Sequence, residues 1–250
     1  MIWVTLDVEK VTDMNFNVKW EKYPNIDYEK SIDQFINFSQ GYKTTAFVLG
    51  SFAKKFPHII KKLSSSGVEI ACHGLKHDLV YKQSFDQWSC ELKEAKQILE
   101  KITQKKVKGY RSPSWSMPFE KKYYRELAKI GFTYSSSYFP MKNYMYGNSI
   151  NKKESFKVYT EYGVIEEHPI PKNFLPFSGG FYLRVLPLWL LKLLFKKTKN
   201  PILYIHPYEL MDQNLLKFFK NYASFNIDFF LAFYATSPAK NKMRDILKNE

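Results

Sequence analysis

His73 and His77 follow directly on an apolar run, three residues lying between them and Gly74 relaxing the backbone after the first. Imidazoles at that spacing can place two nitrogens on one divalent cation, as zinc sites commonly require. Two histidines and one carboxylate leave a coordination position open for water. Asp7 and Glu9 supply carboxylates, and acids one residue apart on a strand point to the same face. One would bind the cation and the other would deprotonate the water; the residues alone leave open which does which. Arg111 ends a further apolar run, where burial without a partner would be costly, and Asp7 meets that need. His206, in Tyr204-Ile205-His206-Pro207-Tyr208-Glu209, has the chemistry of a proton donor to a leaving amine. The carboxylates nearest to it by topology are Glu166 and Glu167, at the end of the preceding strand, with Glu209 as another. His168 reads as structural and His58 as a surface residue of a helix.

These residues need elements to carry them. Short apolar runs at 2–6, 44–49, 68–72, 107–110, 164–168, 202–205 and 227–233 read as strands. Helical patterns lie between them. Phe85, Trp88, Leu92, Ala95, Leu99 and Ile102 form an apolar stripe on one helix face, with Ser84 as N-cap. A second helix is expected over 118–130, with Pro just inside its start and Gly131 past its end. Others fit 27–39, 57–65, 187–199 and 212–222, and residues 139–154 read as a long loop. Strand-helix alternation argues for parallel strands joined by helices, with function at the strand ends. All the chemical residues fall at such ends. With no internal repeat, linker or composition break, residues 1–250 are expected to form one catalytic domain.

A chain of 250 residues with 45% hydrophobic and 18% aromatic content can bury one sizeable core. Its 38 basic and 24 acidic residues give a formal charge of +14, which suits nucleic acid, an anionic membrane or an anionic glycan. No basic run is interleaved with a nucleic-acid-binding motif, so nucleic acid is set aside. Cys72 and Cys90 read as reduced thiols rather than a disulfide framework. The first residues enter a strand without a basic region, apolar segment and cleavage site, and no run approaches the roughly 18 apolar residues of a spanning helix. The expected location is the cytoplasm or the inner face of the membrane. Residues 181–197, FYLRVLPLWLLKLLFKK, read as a core helix closed by lysines, with a membrane-touching surface as the alternative.

At these positions the sequence resembles the polysaccharide deacetylase (NodB-like) family, carbohydrate esterase family four, and within it the branch associated with exopolysaccharide and surface-glycan genes. The matched stretches are TLDVE at 5–9, HGLKH at 73–77, GYRSPSWS at 109–116, GFTYSSSYFP at 131–140, PFSGGFYLRVLP at 176–187 and YIHPYE at 204–209. The resemblance implies a distorted, incomplete (β/α) barrel of about seven parallel strands. It implies Asp7 as the base that activates water, Arg111 as the group that holds it, and His206 as the general acid. His73 and His77 match the metal-binding histidines, the metal being zinc, and Trp115 matches the groove wall, where Tyr110 and Pro113 are also expected to meet substrate. Lys10 stands where this branch carries a further acid, which leaves Glu9 as the carboxylate ligand. Ser135 stands where the family carries an aspartate.

The implied reaction is removal of an N-acetyl group from an acetamido sugar, carried on a lipid, a nucleotide or a growing surface glycan. Two other readings share the motifs: hydrolysis of another C–N bond, as in the ring amides of purine breakdown (allantoinase-like), and saccharide binding without turnover.

Overall fold

In a computed structural model, residues 1–13, 15, 26–141, 147, 152–211 and 236–248 are described. The strand expected at 227–233 and the helix at 212–222 lie outside them, as does much of the loop at 139–154.

Eight strands form one sheet in the order β6-β7-β5-β4-β3-β2-β1-β8. They are β1 (Trp3–Val8), β2 (Lys43–Val48), β3 (Glu69–Cys72), β4 (Gly109–Tyr110), β5 (Tyr134–Ser135), β6 (Phe156–Thr160), β7 (Gly163–Glu167) and β8 (Ile202–Ile205). Every neighbouring pair is parallel except β6 and β7, an antiparallel hairpin. The result is a half-barrel with helices on its outside, the incomplete (β/α) barrel.

Side-chain alternation explains where the core and the site sit. Ile2, just before β1, and Val4, Leu6 and Val8 on it join the large core beneath the helices, whereas Trp3 joins a smaller interior cluster with Phe47, Ala71, Trp115, Phe139, Ile170, Ile202 and Tyr204. Thr5 and Asp7 share the face of Trp3, and Glu9 continues that parity one residue past the strand. The same rule sends Cys72 outward and His73 inward, Tyr110 outward and Arg111 inward, Ile205 outward and His206 inward. Ligand-capable groups therefore collect on the interior face, at the carboxyl ends of the strands.

The helices are α1 (Tyr28–Phe38), α2 (Gly50–Lys55), α3 (Pro57–Ser65), α4 (Phe85–Thr103), α5 (Lys121–Ile130), α6 (Gly180–Val185), α7 (Leu188–Lys197) and α8 (Thr236–Leu247). Ser84 caps α4 by accepting from the N–H of Gln87 at 3.2 Å, and Trp88, Leu92, Ala95 and Leu99 bury the expected stripe. Gly131 closes α5 at φ +91°, a left-handed conformation that only glycine adopts without strain. The helix begins at Lys121 rather than at Pro118, because Glu120 before it is extended. The pattern also passes over β5, β6 and α2. β5 has two residues, and α2 has six with no side-chain cap at its N-terminus, too little for periodicity to register. The helix read over 181–197 is broken at Leu186 and Pro187, both extended, into α6 and α7.

Candidate active site

Arg111 is fully buried, and its guanidinium crosses the interior to β1. Nη1 donates to Asp7 Oδ1 at 2.6 Å and lies 3.0 Å from Thr5 Oγ1, while Nη2 donates to Ser136 Oγ at 3.1 Å. The ring of Phe47 lies 4.0 Å beneath the guanidinium carbon. The expected pairing of Arg111 with Asp7 is therefore present, in a setting where a short charge-assisted bond is strong. Thr5 and Ser136 carry no signal in isolation, although both lie within the matched stretches.

Beyond Asp7, Glu9 is buried with His73 and His77, and one donor atom from each lies within 4.8 Å of the others. Glu9 Oε2 is 2.8 Å from His77 Nε2 and 3.7 Å from His73 Nε2, yet it accepts no aligned hydrogen bond. His73 Nδ1 donates to the carbonyl of Arg111 at 2.8 Å, leaving its Nε2 as a lone-pair donor toward the cluster. His77 Nδ1 lies 2.9 Å from the carboxamide of Asn15; ligation through Nε2 requires that the amide oxygen face it, since Nδ1 then carries the proton. A buried, under-satisfied carboxylate oxygen facing two imidazole nitrogens fits a divalent cation with open positions. Burial alone would raise the Glu9 pKa, but the charge of His77 and the close approach of both imidazoles hold it well below the usual carboxylate range, with His206 adding to the effect. For His77 burial works against the charge, and Glu9 overrides it to raise the pKa.

His206 approaches from the other side. Its Nε2 is 3.9 Å from Glu9 Oε1, and its ring stacks on Tyr208 with centroids 5.1 Å apart. Glu209 Oε2 accepts from both the backbone N–H of His206, at 3.1 Å, and the ring Nδ1, at 2.8 Å. This fixes the tautomer and turns Nε2 toward the cluster. Burial disfavours the imidazolium, but the Glu209 hydrogen bond and charge, with Glu9 and Asp7 behind them, raise the pKa to about 9. Glu209 is in turn 3.2 Å from Arg184 of α6, which is also buried. Glu166 and Glu167 do not reach His206. Glu166 lies 3.8 Å from His168, and Glu167 accepts from the N–H groups of Ser137 and Tyr138 at 2.7 and 3.0 Å. Arg184 was within reach of sequence reasoning, because it falls inside the stretch at 176–187.

The groove residues divide. Trp115 stays on the interior face against Tyr204 and Phe139, with ring centroids 4.8 and 5.6 Å away. It and Ser114 adopt φ of +48° and +49°, a costly conformation for residues other than glycine, found where surrounding structure over-determines the backbone. Pro113 is buried beside Gly74. Tyr110 corrects the expectation: strand alternation turns it outward into the helix-side core, where its hydroxyl accepts from Trp88 Nε1 at 3.1 Å, so it cannot meet substrate. Lys10 pairs with Asp13 at 3.0 Å and leaves the cluster to Glu9. Ser135 pairs in register with Glu167, so a buried carboxylate stands across the strand from the serine.

Two family models account for nearly all of the chain: polysaccharide deacetylase over residues 20–135, and a domain of unknown function (DUF3473) over residues 136–249. Residues 20–135 thus carry a polysaccharide deacetylase domain. A curated relative, a peptidoglycan-N-acetylglucosamine deacetylase of Bacillus cereus, is 24% identical over 119 residues, 45% of this chain and 44% of that protein. The match thus spans less than half of the relative. Among solved structures, a Mycobacterium smegmatis protein assigned as a polysaccharide deacetylase aligns with TM-score 0.61 at 14% identity, covering 99% of this chain and 83% of the other. A family 4 carbohydrate esterase of Streptomyces lividans, solved with acetate, aligns with TM-score 0.54 at 11% identity, covering 99% and 88%. A pseudoenzyme mutant of the same esterase family with restored activity also aligns, with TM-score 0.54 at 13% identity, covering 100% and 62%. At such identities these structures establish the fold. The boundary between the two family models falls at the end of β5, inside the sheet. The cluster therefore comes from one side of that boundary and His206 from the other.

Proposed function

We propose that the chain is a metal-dependent deacetylase that removes the acetyl group from an acetamido sugar. The observation that carries this reading is the convergence of Glu9, His73 and His77 between two buried, oppositely built pairs, Asp7–Arg111 and His206–Glu209. Glu9, His73 and His77 would hold the cation, with zinc the best match to two imidazoles and one carboxylate. When bound there, it would supply Lewis acidity toward the acetyl carbonyl and the attacking water. Asp7 takes the proton of the water, and Arg111 holds the Asp7 carboxylate charged and aimed. His206 delivers a proton to the departing amine, which an amide requires because its nitrogen cannot leave as an anion. Trp115 and Pro113 form part of the wall against which the sugar ring lies. The sugar is carried on a surface glycan or on its lipid- or nucleotide-linked precursor, the whole chain acting as one catalytic domain in the cytoplasm.

Metal analysis and acetate release test this together. The purified protein should carry about one divalent ion and release acetate from N-acetylated oligosaccharides. Replacing His73 and His77 by alanine should empty the site and keep the fold, at a lowered melting temperature because the buried Glu9 loses its partners. Full metal content in that double variant would refute the ligand assignment. Metal retention and glycan binding without acetate release would support the saccharide-binding reading instead, and hydrolytic ring opening of a cyclic amide the allantoinase-like one.

A further inference from the structure

The segment 181–197 divides its two faces. Leu191, Leu194 and Phe195 of α7 pack into the core, as a core helix should. The opposite face leaves Trp189 exposed at 69% and Leu193 at 41%, one turn apart, with Val185 at 36% just before the helix. Phe174, exposed at 73%, belongs to a tight turn whose neighbour Asn173 donates to Thr198 at the end of α7, at 3.4 Å. Phe174 and Trp189 are two of the three most exposed aromatic rings among the described residues, and both border one helix.

Charge sharpens this. Between Glu167 and Glu209 the sequence has no acidic residue, while it has Lys172, Arg184, Lys192, Lys196, Lys197 and Lys199. Arg184 is buried against Glu209, Lys199 lies 3.8 Å from Glu154, and Lys172 donates to the carbonyl of Pro140 at 3.3 Å; Lys192, Lys196 and Lys197 lie on α7 itself, the helix that carries Trp189 and Leu193. Among the described residues no helix is long and apolar enough to cross a membrane, so the surface can lie on a bilayer but α7 does not span one.

We propose that the outer face of α7, with the Phe174 turn, docks on an anionic lipid bilayer. Trp189, Leu193 and Phe174 enter the headgroup boundary, where tryptophan is favoured, and the flanking lysines meet acidic headgroups. A protein partner would have to supply an acidic rim around an apolar centre; an acidic bilayer has that layering everywhere. The proposal does not depend on the deacetylase reading.

Flotation with vesicles of phosphatidylcholine alone, or mixed with phosphatidylglycerol, tests it at near-physiological salt. The full chain should float only with the mixed vesicles. Trp189→Ser combined with Phe174→Ser should weaken partitioning about tenfold or more, and each of Lys192→Gln, Lys196→Gln and Lys197→Gln by up to about fivefold, all with unchanged melting temperature. Bromine-labelled acyl chains should quench the protein's fluorescence, and Trp189→Phe, which keeps the face apolar, should remove most of that quenching while still binding. Failure to float with anionic vesicles would overturn the proposal. So would flotation indifferent to the Trp189 and Phe174 changes, or a lipid-free dimer that those changes dissociate.

Discussion

Asp7 and His206 face the same cluster, but the two are held in opposite ways. Asp7 is fixed by a cation from far along the chain: Arg111 reaches it across the interior from beyond β4. His206 is fixed by an anion three residues away, within a single turn, and Arg184 braces that anion. The deeper difference is titration. A guanidinium cannot shed its proton in a protein, so Arg111 needs its carboxylate at every working pH. An imidazolium can, so His206 answers the loss of its partner by changing charge. Damage to the base side should therefore appear as lost stability and lost turnover together, and damage to the acid side as a moved pH limb.

The largest effect should come from Asp7→Asn. It removes the proton acceptor and leaves a fully buried guanidinium facing a neutral amide. Turnover should fall roughly 10²-fold or more, and stability by about 3 kcal/mol, near the lower end for breaking a buried pair. Denaturant unfolding and acetate release measure the two. A variant as stable as wild type would erase the contrast between the arms, and near-normal turnover would reject Asp7 as the base.

His206→Ala should cost about 10²-fold on an N-acetyl sugar while sparing an activated acetyl ester, whose leaving group needs no proton. The fold should lose less than with Asp7→Asn, because no permanent charge is left alone on this side except Arg184, which keeps Glu209. Equal losses on amide and ester would make His206 a sugar-binding or structural residue.

Strand parity made much of this arrangement readable beforehand. Asp7 with Glu9, His73, Arg111 and His206 each follow an apolar run at a position that alternation turns inward, and Arg111 declared its need for a carboxylate by its placement alone. The same parity rule would have turned Tyr110 away from the groove had it been applied to its neighbour. The partner of His206 was harder, because topology favoured Glu166 and Glu167 at a strand end. What decides it is the turn Pro207–Leu210, whose geometry folds Glu209 back on the backbone and ring of His206. The strands β5 and β6 escaped notice since β5 has only two residues and β6 lies at the sheet edge with its side chains partly or fully in solvent, so neither leaves an apolar run.

The smallest effect, and the sharpest test of the contrast, belongs to Glu209→Gln. In the wild type the His206 pKa is raised to about 9, burial being outweighed by Glu209 first and by Glu9 and Asp7 after it. A general acid must be protonated to act, so acetate release from an N-acetyl sugar should hold up to about that pH and decline above it. The glutamine keeps a hydrogen-bond acceptor of similar shape for Arg184 but loses the charge. Burial then governs His206, and the alkaline limb should move down by about one pH unit or more, with rates below the new limb close to wild type. Linkage adds an independent readout. A histidine whose folded pKa is raised stabilises the fold fully below its unfolded value of about 6.5, and that contribution vanishes as pH climbs through the folded value. The wild type should therefore melt above the variant near pH 6, and the gap should close toward pH 9. A limb that stays in place, or a melting gap that widens with pH, would mean that Glu209 serves Arg184 and the turn rather than the charge on His206.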